Sequence, residues 1–252
     1  MVEATVSDGV ALLRLNLPKV NAFSPAFCRA LDGAVARAQE DAAVGALVVA
    51  SAVPGVFSAG LDLKTLGGLD RAAMTTFVGE FFRLLCRLRT SPVPVVAAVE
   101  GHAIAGGALM LCAADRRVAA QGNYRVGLSE AALGLPLPGG IAEMVRRVLG
   151  SVAATEVLCF GALHGPDRAL ELGFVDRLVA PDRVLAEALD EARRLAALPR
   201  AALRQIRSAL LGDLAGKLAA MQTEGYGAFV EYWFEAPCRE AREQILGRLG
   251  GA

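Results

Sequence analysis

Two short runs constrain this chain most. Ala46–Ala50 (ALVVA) and Val95–Val99 (VVAAV) are apolar at every position over the length of a strand. An unbroken apolar run of that length, bounded by turn residues, reads as a strand buried on both faces. Amphipathic helices surround the two runs. Ser24-Pro25 offers an N-cap followed by proline at the first helical position. Phe27, Leu31, Ala34, Val35 and Ala38 then recur at helical spacing. Asp70 precedes a second helical stripe of Met74, Phe77, Val78, Phe81, Leu85 and Leu88, which Pro92-Val93-Pro94 terminates. Val10–Leu15, Arg117–Ala120 and Tyr124–Val126 read as further strands, and Ser51–Gly68 as a loop. This alternation predicts an α/β fold.

Beyond Val179 the pattern changes to helix alone, over Arg183–Leu198, Ala201–Leu211 and Leu214–Phe234. The expected division is a core over residues 1–195 and a C-terminal helical subdomain over residues 196–252. No repeat at a fixed period is visible.

Composition excludes several functional classes. With 252 residues, 54% of them hydrophobic, the chain can bury a large core. Lys+Arg and Asp+Glu are equal at 26 each, so no net charge draws it to nucleic acid or an anionic membrane. The five cysteines form no CxxC pair, which argues against a disulfide framework or a zinc site. The N-terminal residues lack the basic-then-apolar pattern of a signal peptide. The most apolar run, Ala103–Ala114, is too short to span a bilayer. A soluble, cytoplasmic protein is expected. No phosphate-binding glycine motif, GxSxG elbow or HExxH is present. The two histidines, His102 and His164, lie far apart. Carboxylates and backbone dipoles remain as the expected tools.

Two segments carry the chemical signal. Pro54-Gly55-Val56-Phe57-Ser58-Ala59-Gly60-Leu61-Asp62-Leu63 follows the first buried strand. Gly101-His102-Ala103-Ile104-Ala105-Gly106-Gly107-Ala108-Leu109 follows the second and runs into a helix. Ligands of α/β sheets bind at strand C-terminal ends, small residues admit them close to the backbone, and helix N-termini present free N–H groups. Taken singly, each segment is equally well a turn that allows close packing.

Together the segments resemble the two signature regions of the crotonase (enoyl-CoA hydratase/isomerase) superfamily. Lys19-Val20-Asn21-Ala22-Phe23-Ser24 resembles the N-terminal motif of that family. Tyr124-Arg125-Val126-Gly127-Leu128-Ser129-Glu130 resembles the segment bearing its downstream acid, and Leu170-Glu171-Leu172-Gly173-Phe174-Val175-Asp176 its later glycine-containing signature. Order and spacing hold from Val2 to Val179. The resemblance implies the crotonase (ClpP-like) fold, a ββα spiral core with C-terminal helices. It implies an acyl-CoA thioester substrate, with coenzyme A as part of that substrate and no further cofactor or metal. It also implies homotrimers, often paired into hexamers. Phe229, Tyr232, Trp233 and Phe234 suit such a subunit contact, and equally suit a core.

By the same resemblance, the N–H groups of Leu61 and Gly106 form an oxyanion hole. Ala59, Asp62, Leu63, Lys19 and Val20 match positions lining the coenzyme A pocket, although Lys19 also reads as a solvated charge and Asp62 as a turn cap. Glu130 matches the downstream catalytic glutamate; as a bare residue it reads as an acidic first-turn residue of a helix. The family's hydratases carry a second glutamate three residues beyond the second oxyanion glycine, where this chain has Leu109. Hydration calls on two acids, whereas shifting a double bond needs one. The pattern therefore resembles the Δ3,Δ2-enoyl-CoA isomerase branch. A single-glutamate hydratase and a catalytically silent acyl-CoA binder are the alternatives. Among other acids, Glu100 reads as structural, Asp115 as an arginine partner and Glu143 as a weaker pocket candidate; His102 reads as a packing or hydrogen-bonding residue.

Overall fold

The computed structural model describes residues 1–224 and 226–250. It opens on an antiparallel hairpin, β1 (Val2–Ser7) and β2 (Val10–Leu15). Asp8 and Gly9 both have positive φ, 51° and 76°, as a two-residue hairpin turn requires. β1 is absent from the reading of hydrophobic runs because it is largely exposed; the Asp8-Gly9 dipeptide was its signal. Helix α1 (Pro25–Glu40) follows, with the Ser24 hydroxyl accepting from Phe27 N–H at 3.3 Å. It buries Phe27, Leu31 and Val35, as the spacing predicts.

The chain then winds through three similar turns. The first contains β3 (Ala46–Ser51), β4 (Val56–Ser58), the short helix α2 (Leu63–Gly67) and α3 (Arg71–Arg89). The second contains β5 (Val95–Val99), β6 (His102–Ile104) and α4 (Gly106–Ala113). The third contains β7 (Arg116–Ala120), β8 (Val126–Gly127), a 3₁₀ turn over Ala131–Leu133, α5 (Gly139–Leu149) and α6 (Ser151–Phe160). Next come β9 (Leu163–His164), α7 (Pro166–Glu171) and β10 (Arg177–Val179). Then follow α8 (Val184–Ala196), α9 (Arg200–Leu211), α10 (Asp213–Glu224), α11 (Gly227–Phe234) and α12 (Ala236–Gly250).

Each turn contributes one strand to each of two sheets. The larger sheet runs β1-β2-β3-β5-β7-β10, the smaller β4-β6-β8-β9. β3, β5 and β7 are parallel neighbours and are buried almost throughout, as continuous apolar runs should be. β4, β6 and β8 are also parallel neighbours. The segment expected to be one loop, Ser51–Gly68, therefore holds a strand and a helix. Both are too short for a periodic signal, and Asp62 caps the helix by accepting from Thr65 N–H at 3.0 Å.

The Phe174-Val175-Asp176 signature has a structural role. Asp176 accepts from Arg117 N–H and from its guanidinium, both at 2.7 Å, which ties the start of β10 to β7. The helix expected over Leu214–Phe234 is instead two, α10 and α11, with residue 225 outside the described residues. α8 packs on β3, β5 and β7, while α10 and α11 pack on α3. Phe229 and Trp233 are buried within the chain, and Phe234 lies under Arg71 at 5.1 Å. Phe229 and Trp233 thus belong to the core, Phe234 is partly buried and Tyr232 is exposed. Among the described residues no helix is long and apolar enough to cross a membrane.

Candidate active site

Three adjacent strands deliver the site. β4 ends at Ser58, β6 at Ile104 and β8 at Gly127, and registry pairs Ser58 with Ala103 and Ile104 with Gly127. Leu61, Gly106 and Glu130 lie two or three residues past these ends, so the turns that carry them are neighbours. They line one cavity of about 240 Å³ with Ala59, Leu63 and Leu109.

The donor at Leu61 is set by a single parallel bridge to Phe23. Phe23 N–H donates to Gly60 O at 2.7 Å, and Asp62 N–H donates to Phe23 O at 3.1 Å. In such a bridge the intervening residue turns its own N–H to the opposite edge, so Leu61 N–H faces away from Phe23. Gly60, at φ 85°, permits the bend. A Cβ there would lie 2.8 Å from Ile104 O and 3.2 Å from Gly106 N; the two turns are in direct contact.

The donor at Gly106 is the first N–H of α4, which has no intrahelical partner. Ala105 precedes it at φ 50° and ψ −118°, a conformation that non-glycine residues rarely adopt. Its N–H is held by Gly127 O at 2.8 Å. Strain of this kind costs about 1–3 kcal/mol and persists only where its surroundings enforce it. The helix N-terminus adds a positive partial charge.

Glu130 is 7% exposed, and its Oε2 has no hydrogen-bond partner among the described residues. Desolvation by burial raises its pKa from 4.5 to about 7, partly offset by the backbone N–H groups of Glu130 and Ser129. Leu109, Leu133 and Leu135 wall the cavity around it. Among the described lining residues Glu130 is the one titratable side chain.

The other expected residues lie elsewhere. Lys19, Val20 and Asp62 line an adjoining open groove that also includes Arg29. His102 Nδ1 accepts from Arg125 N–H at 3.1 Å. Asp115 accepts from Val95 N–H and pairs with Arg207. Glu143 is held well below the usual carboxylate range by Arg146 and Arg147, outside the cavity. Burial raises the pKa of Glu100, with an opposing pull from Arg14. No group of described His, Cys, Asp and Glu residues is arranged to hold a metal ion.

Two supporting residues were not singled out from sequence. Buried Asn21 donates to Ser51 Oγ at 2.8 Å and to Phe57 O at 3.1 Å, and its Oδ1 accepts from Leu17 N–H. Ser58 Oγ donates to Asn21 O and accepts from Gly60 N–H. Together they fasten the Lys19–Phe23 segment to the loop that carries Leu61. Asn21 lies within the N-terminal motif, and its left-handed φ of 47° suits asparagine; its partners are remote in sequence and carry no local signal.

The sequence profile described as "Enoyl-CoA hydratase/isomerase" matches residues 5–244. The chain belongs to the enoyl-CoA hydratase/isomerase family. It is 29% identical over 250 residues to the human mitochondrial enoyl-CoA delta isomerase 1, covering 99% of this chain and 83% of that protein. It is 32% identical over 212 residues to a probable enoyl-CoA hydratase of Rhizobium meliloti, covering 83% and 80%. The crystal structure of human mitochondrial Δ3-Δ2-enoyl-CoA isomerase superposes with a TM-score of 0.94 at 28% identity, covering 99% of this chain and 98% of that one. The fold is the crotonase fold, and the protein is an enzyme of this family.

Proposed function

We propose that this enzyme moves the double bond of a 3-enoyl-CoA to the 2-position, with Glu130 as acid and base. The observation that carries the reading is a single buried carboxylate in an otherwise apolar cavity, with Leu109 on its wall. The thioester oxygen accepts from Leu61 and Gly106 N–H. Ionised Glu130 takes a proton from C2, and the electron pair delocalises through a dienolate onto that oxygen. The same carboxyl returns the proton at C4, leaving the 2-enoyl thioester. A pKa of about 7 keeps enough carboxylate at neutral pH while making it a stronger base than an exposed glutamate. Each oxyanion donor is worth about 2.7–4 kcal/mol in such a transition state. Hydration would also require a held water, and Leu109 offers it no polar atom.

Within this proposal the groove at Lys19, Val20 and Asp62 takes the polar body of coenzyme A. Residues 196–252 act as a helical subdomain, and the chain assembles as a trimer or a pair of trimers. Exposed apolar side chains on α6 (Val152, Phe160) and α9 (Ile206, Leu210) support self-association.

The test is incubation with 3-enoyl and 2-enoyl thioesters, with products resolved by chromatography and mass. Isomerisation leaves the mass unchanged and moves the double bond. A product heavier by one water assigns hydration instead, and binding without conversion assigns a silent binder.

A further inference from the structure

The wall of the cavity is open in part and closed in part. Ala59, Leu61, Leu63 and Ser129 are partly exposed, as are Ile104, Leu137 and Ile245; in the proposed function coenzyme A leaves past the loop that carries Leu61. Part of the wall is formed by Phe82 of α3 and Phe229 of α11, which are 0% and 4% exposed and so close the cavity where they stand. Their rings meet edge to face with centroids 5.7 Å apart, and Tyr226 stacks on Phe82 from 5.2 Å. An acyl chain that starts at the two oxyanion donors and stays within the cavity meets this aromatic wall. Core aromatics of this kind are close-packed and yield little.

The volume limits what fits before that wall. An apolar cavity of about 150 Å³ holds a benzene ring, so by proportion a cavity of this size holds roughly ten carbon atoms. We infer that the enzyme selects acyl-CoA thioesters of short to medium chain length, and that Phe229 is the residue that sets the limit. The inference rests on the reading of this cavity as the reacting site, and it adds the substrate class. Phe229 lies far along the chain from every motif residue, yet it closes the pocket those motifs open. Length selection thus depends on how α11 docks against α3.

The experiment compares wild type with Phe229→Leu and Phe229→Trp. kcat/KM is measured on 3-hexenoyl-, 3-decenoyl- and 3-hexadecenoyl-CoA. Equilibrium binding of butanoyl-, octanoyl- and hexadecanoyl-CoA is measured in parallel. A misfit of one methylene in an apolar pocket changes kcat/KM by about 10-fold or more. Wild type is expected to disfavour the longest substrate by at least about 10-fold. Phe229→Leu should raise the long-to-short ratio by a similar factor, and Phe229→Trp should lower it. A folding defect cannot move the ratio in opposite directions. A flat length profile in wild type, or variants that leave the ratio unchanged, overturns the inference. Absence of turnover at every length, with length-dependent binding retained, defeats the isomerase reading and supports the length limit.

Discussion

The loop from Ala59 to Leu63 separates two unlike surfaces. On its inner side lies an apolar cavity with a strained Ala105, the N–H groups of Leu61 and Gly106, and a Glu130 oxygen that has no hydrogen-bond partner among the described residues. On its outer side lies an open groove whose polar groups are satisfied or solvated: Asp62 caps α2, and Lys19 and Val20 are exposed. The difference follows from what each side would handle. Charge that develops during a reaction is stabilised best by fixed dipoles in a dry site, because a low dielectric strengthens them. A long polar ligand body needs only surface contact, where single ion pairs contribute about 0–1 kcal/mol.

If that contrast is right, inner-side changes act on kcat and outer-side changes on KM. The largest effect is expected from Glu130→Gln, which should lower kcat about 10²–10⁴-fold with little change in KM. Steady-state kinetics on the preferred 3-enoyl thioester measures it, and unchanged turnover would remove Glu130 from the mechanism. Gly106→Ala comes next. Its Cβ would lie 2.9 Å from Phe81 Cζ, so the Phe81 ring or the helix N-terminus must shift, and a shift of the helix moves its donor. The expected loss is about 10²–10³ in kcat, and an unaltered kcat would show that Gly106 N–H is not aimed at reacting charge.

The Glu130 carboxyl also ties the inner side to stability. Its folded pKa lies above its ordinary value of 4.5, so the native state binds the proton more tightly. The resulting stability is fully present below about pH 4.5 and is lost as pH rises through about 7. A shift of this size corresponds to about 3 kcal/mol. Glu130→Gln should therefore melt higher than wild type at pH 8, and the gap should close as pH falls below the unfolded value. Thermal melts across pH check this. In wild type kcat/KM should rise with pH through about 7, as the base ionises. The smallest effect is expected outside: Lys19→Ala should raise KM a few-fold at low salt, fading as salt screens the charge, with kcat unchanged.

Much of the inner side was legible because its parts are local. Gly60 and Gly106 mark places where backbone must bend or approach closely, and a leucine at position 109 is visible by inspection. The apolar stripe of α3 included Phe81, which the structure puts under Gly106. Phe82, Phe229 and Ile245 gave no signal as pocket residues, because an apolar residue at helical spacing looks the same whether it meets core or cavity. The division of the outer groove from the cavity was likewise illegible: Lys19, Val20, Asp62, Ala59 and Leu63 matched one ligand-lining set, and only the path of the loop sorts them to its two sides.

The sequence alone determined the strands that bury both faces, the turns that end them and the acid that follows β8, because burial pattern and backbone permissiveness are properties of neighbours along the chain. Tertiary structure decided the rest. The register of β4, β6 and β8 brings Leu61, Gly106 and Glu130 to one cavity, and the docking of α11 on α3 closes it. These are contacts between residues far apart in sequence, fixed by packing that no local pattern encodes.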